Sequence, residues 1–313
     1  MAQIFSLVAK LTCWTAATVI LASASAASAQ QSFKSPEDAV AALASATKDN
    51  WPKGVVAVLG PEGADIVSSG DKVADTIMRE KFLAAYDAKH QVTMEGDAKA
   101  VMIIGPEDFP FPIPLSRKGA AWQFDTAAGR LEILYRHIGR NELSAIQASL
   151  AYVDAQNEYA DKNRASAGGA TYAQRIVSRP NKKDGLYWPA APGEDASPLG
   201  ELVAHATTEG YAIGGGRIPF HGYYFKILTR QGPMATGGEV DYVVRGKMIG
   251  GFALVAFPAE YGNSGVMTFV VNYAGTVFQK DLGERTAKIA EGMTSFNPDQ
   301  TWKKVDVTRP QGE

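Results

Sequence analysis

The stretch GGFALVAFPAEYGNSGVMTFVVNYAGTVFQKDLG, residues 250–283, decides the fold of the second half of the chain. In it, short runs rich in Val, Phe and Ala are separated by the turn sequences Tyr261-Gly262-Asn263 and Ala274-Gly275, a pattern typical of an antiparallel β meander. Similar runs lie upstream, and Glu284 to Met293 has the composition of a closing helix. We therefore predict five strands, at Tyr223 to Thr229, Glu239 to Val244, Phe252 to Phe257, Val266 to Asn272 and Thr276 to Lys280.

A long helix is predicted ahead of this meander, from Ile138 to Lys162. Its buried stripe is expected to consist of apolar residues at helical spacing, namely Leu143, Ile146, Leu150 and Val153. The connection to the meander is irregular, with a Pro-, Gly- and Ala-rich stretch at Asn181 to Pro198, a short helix at Leu199 to Thr207 and a loop at Gly214-Gly215-Gly216. Helix and meander together predict an α+β domain over residues 137–313.

The first part of the chain has a similar composition of elements. A first helix is predicted over residues 33–48, because Ser35 is a suitable N-cap and Pro36 suits the first helical position. A second helix is predicted from Val73 to Lys89. Three strands should follow, at Ala100 to Ile104, Phe111 to Arg117 and Ala121 to Phe124, where Trp122-Gln123-Phe124-Asp125 alternates as in a half-buried strand. These elements predict a second α+β domain, over residues 30–136.

The first 29 residues have the features of a secretory signal peptide. Lys10 precedes the apolar run Leu11 to Leu21, and Ala27-Ser28-Ala29 matches an A-x-A cleavage pattern. The run is shorter than the roughly 20 residues of a membrane-spanning helix. We therefore expect a periplasmic or secreted protein that begins near Gln30 and has no integral membrane span after cleavage.

Composition excludes several classes of function. The 31 basic and 33 acidic residues nearly balance and no basic patch stands out, so nucleic acid is not an expected partner. The single cysteine, Cys13, lies in the predicted signal peptide. The mature chain should therefore contain no disulfide and no thiolate chemistry.

Seven segments, read together, resemble the DUF2950 family of uncharacterised bacterial exported proteins. They are FKSPEDA (33–39), LGPEGADIVSSG (59–70), FPFPIPL (109–115), IGRNELSAIQASLAYVDA (138–155), DGLYWPA (184–190), HGYYF (221–225) and the stretch 250–283 quoted above. The resemblance covers nearly all of the mature chain. It implies an envelope protein whose family has no established activity.

Two further resemblances concern the fold. The helix-and-sheet pattern of residues 30–136 is similar to NTF2-like domains, which serve as binding pockets or spacers. The second half resembles the globular heads of type IV pilins and pseudopilins, on the residues Gly222, Tyr223, Phe225, Ala256, Pro258, Tyr261, Gly262, Gly265, Val266, Phe269, Val271 and Gly275. A pilin begins with an apolar polymerising helix, whereas a separate domain and a polar helix stand here.

The sequence contains no complete catalytic or cofactor motif. Gly262-Asn263-Ser264-Gly265 differs from the G-x-S-x-G nucleophile elbow and fits a tight hairpin. The four histidines, His90, His137, His205 and His221, have no metal-ligand spacing, and Gly214-Gly215-Gly216-Arg217 matches no nucleotide-binding loop. We therefore predict no catalytic residues, no metal site and no cofactor.

Aromatic residues of the second half form the candidate binding site. They are Tyr187, Trp188, Phe220, His221, Tyr223, Tyr224 and Tyr261, and all lie in predicted loops or strand starts. Aromatic faces bind the apolar surfaces of glycans and peptides. The competing interpretation is that these rings pack inward and hold the irregular loop on the sheet.

Three functions remain open at the level of sequence. The first is a non-enzymatic binding or envelope-assembly module, with an envelope protein or a glycan as its partner. The alternative is a hydrolase that acts on cell-envelope polymers through two carboxylates brought to one pocket by folding. The third is a structural module that dimerises through an exposed sheet edge.

Overall fold

The computed structural model describes residues 30–67, 72–167, 169–191, 193–203 and 219–306. The predicted signal peptide, the loop at Gly214-Gly215-Gly216 and the end of the predicted helix 199–207 lie outside these residues. The fold is α+β, with helices and antiparallel sheets. Its residues form two compact units, one that ends at Gly129 and one that starts at Arg130, whereas the sequence placed this division at 136.

Four α-helices and one turn of 3-10 helix (Pro61–Gly63) open the described part of the first unit. The α-helices are α1 (Pro36–Asp49), α2 (Lys53–Leu59), α3 (Ala64–Val67) and α4 (Lys72–Ala88). The predicted N-cap is present, because the Ser35 hydroxyl accepts a 3.0 Å hydrogen bond from the Asp38 amide. Helix α2 was not predicted. It is short and rich in β-branched residues, and burial of its Val55, Val58 and Leu59 at helical spacing compensates for that low helix propensity.

The sheet of the first unit has the strand order β1-β2-β4-β5, and all of its pairs are antiparallel. Its strands are β1 (His90–Met94), β2 (Lys99–Ile104), β3 (Phe109–Pro110), β4 (Leu115–Lys118) and β5 (Ala121–Phe124). The predicted strand 111–117 is wrong in its first part, where Pro112 and Pro114 lack the amide hydrogens of a sheet ladder. Strand β1 was not predicted.

Helix α5 (Thr126–Ala167) is longer at both ends than the predicted helix 138–162. Of its predicted buried stripe, Ile146, Leu150 and Val153 are buried, but Leu143 is 64% exposed. The buried face of α5 continues toward the N-terminus through Ala145 and Asn141 instead. The prediction for Leu143 is wrong because helical spacing is compatible with more than one face of a helix. Spacing alone therefore does not identify which face is buried.

The second unit is built on a five-stranded antiparallel sheet of order β15-β13-β12-β11-β6. Four of its strands match the predicted meander closely: β6 (Tyr223–Leu228), β11 (Ala253–Pro258), β12 (Met267–Asn272) and β13 (Val277–Asp281). The remaining elements are β7 (Arg230–Gln231), β8 (Val240–Asp241), β9 (Val243–Val244), β10 (Lys247–Met248), β14 (Ser295–Phe296), β15 (Lys303–Lys304), a short helix α6 described over 200–203, and α7 (Thr286–Gly292).

The predicted strand Glu239 to Val244 is divided into two. Between β8 and β9 the ring of Tyr242 turns into the core, where its hydroxyl donates to Gln231 Oε1 at 3.0 Å. Strand β8 pairs with β7 and strand β9 with β10. None of the helices in the described part of the chain is both long enough and apolar enough to span a bilayer.

Candidate functional site

Tyr223, one of the predicted site residues, lies inside the second unit. It is fully buried, and its hydroxyl donates to the Met267 carbonyl at 2.9 Å. Burial, and secondarily the charge of Glu142, raises the pKa of Tyr223 above its ordinary value. A methyl group at Gly265 would meet the Tyr223 ring, so the two residues are closely packed. Tyr223 therefore offers no face to a ligand.

Tyr187 and Trp188 belong to the irregular loop after α5. Backbone hydrogen bonds of 2.8 Å join Tyr187 to Ile176 and Ser178, which holds the loop in a narrow bend. Trp188 is buried, and its indole N–H has no hydrogen-bond partner in the described part of the chain. The Lys183 ammonium lies 5.5 Å from the centre of its ring, a cation–π distance.

The other aromatic candidates surround the turn between β11 and β12. His221 has a positive φ of 45° and its ring centre lies 4.3 Å from that of Phe220. The Tyr224 ring packs on Phe257. The Tyr261 hydroxyl donates to Asp281 Oδ2 at 3.2 Å, which raises the pKa of Tyr261. Tyr187 and Tyr224 are half-buried and pack against the same apolar core of the second unit.

Ser264, in the same turn, has a structural role. Its hydroxyl donates to the Gly222 carbonyl at 2.8 Å and accepts from the Glu260 amide at 3.0 Å. Helix α5 is hydrogen-bonded to this turn, because Glu142 Oε1 accepts from the amides of Val266 and Met267 at 3.0 Å each. The hairpin interpretation of this segment therefore fits better than a nucleophile elbow.

The described residues of the first unit surround a cavity of about 230 Å³, a concave site that the sequence did not reveal. It lies where β4 and β5 meet the N-terminal end of α5 and the segment after α2. Polar side chains line it: Gln30, Glu62, Ser116, Lys118, Gln123, Asp125 and Thr126. Its volume is below the roughly 300 Å³ of typical ligand pockets, so it suits a small molecule.

Strand alternation places three of these side chains on one face of the sheet. Leu115 is fully buried on one face of β4. Because side chains alternate along a strand, Ser116 and Lys118 both lie on the other face. Ser116 is paired in register with Gln123, which likewise alternates with the buried Trp122 and Phe124. The alternation in Trp122-Gln123-Phe124 was the sequence signal for this face, but nothing in the sequence showed that a cavity forms over it.

Several walls of the cavity are held by internal hydrogen bonds. Gln30 donates from its amide to the Phe124 carbonyl at 2.7 Å, and Gln123 donates to the Ser32 hydroxyl at 2.9 Å. The Thr126 hydroxyl donates to the Leu59 carbonyl. The Ser116 hydroxyl, by contrast, is buried and has no hydrogen-bond partner among the described residues.

Charges of both signs surround this cavity. Lys118 contributes an ammonium group, and Glu62 and Asp125 contribute carboxylates. Asp125 also caps α5, because its Oδ1 accepts from the Ala128 amide at 3.0 Å. Within the described ranges, no three His, Asp or Glu side chains converge in the way that a metal site requires.

Comparison with known proteins identifies one family. A family model described as "Protein of unknown function (DUF2950)" matches residues 30–305. No curated protein and no solved structure matches the chain.

Proposed function

This chain belongs to the DUF2950 family, and we propose that it is an exported, periplasmic protein that binds a small polar ligand of the cell envelope without catalysing a reaction. The observation that carries the proposal is the lining of the cavity, where the Lys118 ammonium, the Glu62 carboxylate and the Gln123 amide surround one concave space. A ligand in this space can donate and accept hydrogen bonds at the same time.

The mixed lining favours a ligand with several hydroxyl groups. The Lys118 ammonium donates hydrogen bonds only, the Glu62 carboxylate accepts only, and the Gln123 amide can do both. Hydroxyl groups serve donors and acceptors alike, whereas a strongly charged ligand would be repelled by one of the two kinds of charge. A single sugar unit of an envelope glycan meets these requirements and the small volume.

The same proposal includes the finer description of both units. We assign the first to the NTF2-like folds, because helices precede an antiparallel sheet and a cavity lies beside that sheet. We assign the second to the pilin-like heads, because one long helix precedes an antiparallel meander. The second unit would then present the binding unit within the envelope, an assembly role that needs no catalysis.

Calorimetric titration of the chain with N-acetylglucosamine and with short peptidoglycan fragments tests the ligand. We expect binding that Lys118→Ala weakens about tenfold, which corresponds to about 1.4 kcal/mol for one charged hydrogen bond. The matched control is Lys182→Ala, which removes an exposed ammonium group of the second unit. Equal affinity of wild type and Lys118→Ala would contradict the proposal.

Hydrolysis of envelope polymers is the second candidate. Glu62 and Asp125 line the same cavity, and paired carboxylates across a cleft are what glycoside hydrolysis requires. Asp125 is already engaged as a helix cap, which favours the binding function. Release of reducing ends from peptidoglycan by the wild type, abolished in Glu62→Gln, would establish this candidate and replace the first.

A further inference from the structure

Strand β1 forms one edge of the sheet in the first unit. Hydrogen bonds at both of its ends fix which residues face its neighbour β2: the Lys89 carbonyl accepts from the Gly105 amide at 2.9 Å, and the Glu95 amide donates to the Lys99 carbonyl at 2.8 Å. Because antiparallel strands alternate, the amide and carbonyl groups of His90, Val92 and Met94 point away from β2. No described residue pairs with that outer edge.

Among the described residues, nothing protects this edge of β1 against pairing in the usual ways. Natural proteins cover such edges, or place charges, prolines or bulges on them. The segment His90–Met94 contains no proline and no Lys, Arg, Asp or Glu, and it pairs with β2 in an unbroken register without a bulge. Four of its five residues are exposed and Val92 is half-buried. The strand is therefore open to the addition of another strand.

We propose that a second copy of this chain pairs with β1 in antiparallel orientation, about a two-fold axis at Val92. In this arrangement His90 lies opposite Met94 of the second copy, and the two Val92 residues lie opposite each other. Each outward-facing residue then exchanges two N–H···O=C bonds with its counterpart. The pairing satisfies every outward backbone group of the strand, and the interface is isologous because the same residues serve both copies.

Charge at the two ends of the strand selects a second copy as the occupant. Lys89 precedes the strand and Glu95 follows it, at equal distances from Val92. The two-fold axis therefore places each Lys89 opposite Glu95 of the second copy, an attractive cross-strand pair that occurs twice. Their present partners, Asp108 for Lys89 and Lys99 for Glu95, form exposed ion pairs that leave both side chains about half accessible.

Side chains on the same face support the register. The His90 ring stacks on Tyr86 of α4, with ring centres 3.8 Å apart and planes within 9° of parallel. Met94, at 49% exposure, lies on the same face of β1. In the dimer the Met94 thioether would meet the stacked rings of the other copy, a favourable sulfur–aromatic contact. The interface is small, so the dimer should dissociate in the micromolar range or above.

Sedimentation of the whole chain over a range of concentrations tests the self-association, and charge reversal tests the register. Glu95→Lys should weaken the dimer about tenfold, because each Lys89 would face a lysine. The double variant Lys89→Glu with Glu95→Lys should restore it. Both substitutions leave repulsive pairs within each copy, with Asp108 and Lys99, so restoration can come only from contacts between copies. A chain that stays monomeric up to millimolar concentration, or a dimer unaffected by Glu95→Lys or not restored in the double variant, would overturn the proposal.

Cysteine cross-linking provides the geometric test, in a Cys13→Ser background that leaves one thiol. Opposed residues of a hydrogen-bonded antiparallel pair lie about 5.5 Å apart between Cα atoms, within disulfide range. Val92→Cys should therefore form a covalent dimer on mild oxidation. Gln91→Cys is the control, because Gln91 would face Thr93 of the second copy and the two Gln91 positions would lie beyond about 7 Å. Efficient cross-linking of Gln91→Cys but not Val92→Cys would contradict the two-fold axis.

Discussion

At the scale of single residues, the side chain of Gln156 closes the irregular loop after α5. It is fully buried. Its amide nitrogen donates to the Ala173 carbonyl and its amide oxygen accepts from the Ala173 backbone N–H, both at 2.8 Å, so it pairs with Ala173 as a neighbouring strand would. It also donates to the Tyr152 hydroxyl at 2.9 Å. One side chain therefore satisfies both backbone groups of Ala173, in a segment that has little regular structure of its own.

Removal of this amide should cost much of the stability of the second unit. Gln156→Ala leaves the amide and carbonyl of Ala173 unpaired inside the protein, so we expect a loss of about 3 kcal/mol in the free energy of unfolding. Urea denaturation followed by circular dichroism measures it. The neighbouring exposed Asn157→Ala should change stability by less than about 0.5 kcal/mol. A loss below about 1 kcal/mol for Gln156→Ala would show that the loop is held by other contacts.

Buried tyrosines should make the protein sensitive to alkali. Burial raises the pKa values of Tyr152, Tyr223 and Tyr242 above the ordinary value of 10.0. Their folded forms retain the proton, so this stabilising effect is complete below pH 10 and is lost as the pH rises further. Absorbance of tyrosinate and circular dichroism, measured together against pH, should show these phenols ionising in the same step as unfolding. Gradual ionisation with the fold intact would contradict their burial.

At the scale of elements, α5 and the turn between β11 and β12 depend on each other. Glu142 accepts two backbone amides of the turn, and Asn141 donates to the Ser264 carbonyl at 2.9 Å. These contacts join segments more than a hundred residues apart in the chain. The helix therefore positions the meander by hydrogen bonds as well as by apolar packing.

A pair of substitutions at Glu142 distinguishes hydrogen bonding from charge. Glu142→Ala removes the acceptor of two amides and should lower the free energy of unfolding by about 2 kcal/mol. Glu142→Gln keeps an acceptor oxygen and should cost less than half of that. The exposed Glu158→Ala on the same helix, which breaks only a pair with Lys162, should be nearly neutral. Equal losses for Glu142→Ala and Glu142→Gln would assign the effect to charge.

The elements that sequence alone could predict are those whose pattern is local. A few neighbouring residues are enough to recognise the hydrophobic runs of β11 and β12 and the N-cap at Ser35. Helix α2 and strand β1 could not be predicted, because their stability comes from packing and pairing with distant segments. The cavity depends on four separate segments of chain and has no local signature at all.

At the scale of the whole molecule, the described residues form two compact α+β units. The predicted cleavage after Ala29 would place the new N-terminus at Gln30, whose side chain already lies at the cavity of the first unit. The predicted cleavage site and the candidate binding site would therefore share Gln30.

Intact-mass analysis of protein from a fractionated cell tests the export. We expect a periplasmic chain that begins at Gln30. Replacement of Ala27 and Ala29 by arginine should block cleavage, because the A-x-A site requires small residues. A chain with Met1 or Ala2 at its N-terminus, recovered from the cytoplasm, would contradict export. The cavity and the edge of β1 would then need an explanation that does not involve the cell envelope.

The most direct test of the binding function is an NMR titration of the ¹⁵N-labelled chain with peptidoglycan fragments. Amide signals of residues around the cavity should shift, those of Ser116, Lys118 and Gln123 foremost, and Lys118→Ala should reduce these shifts. Shifts confined to the loop of Tyr187 and Trp188, or no shifts at millimolar ligand, would contradict a binding site in the first unit.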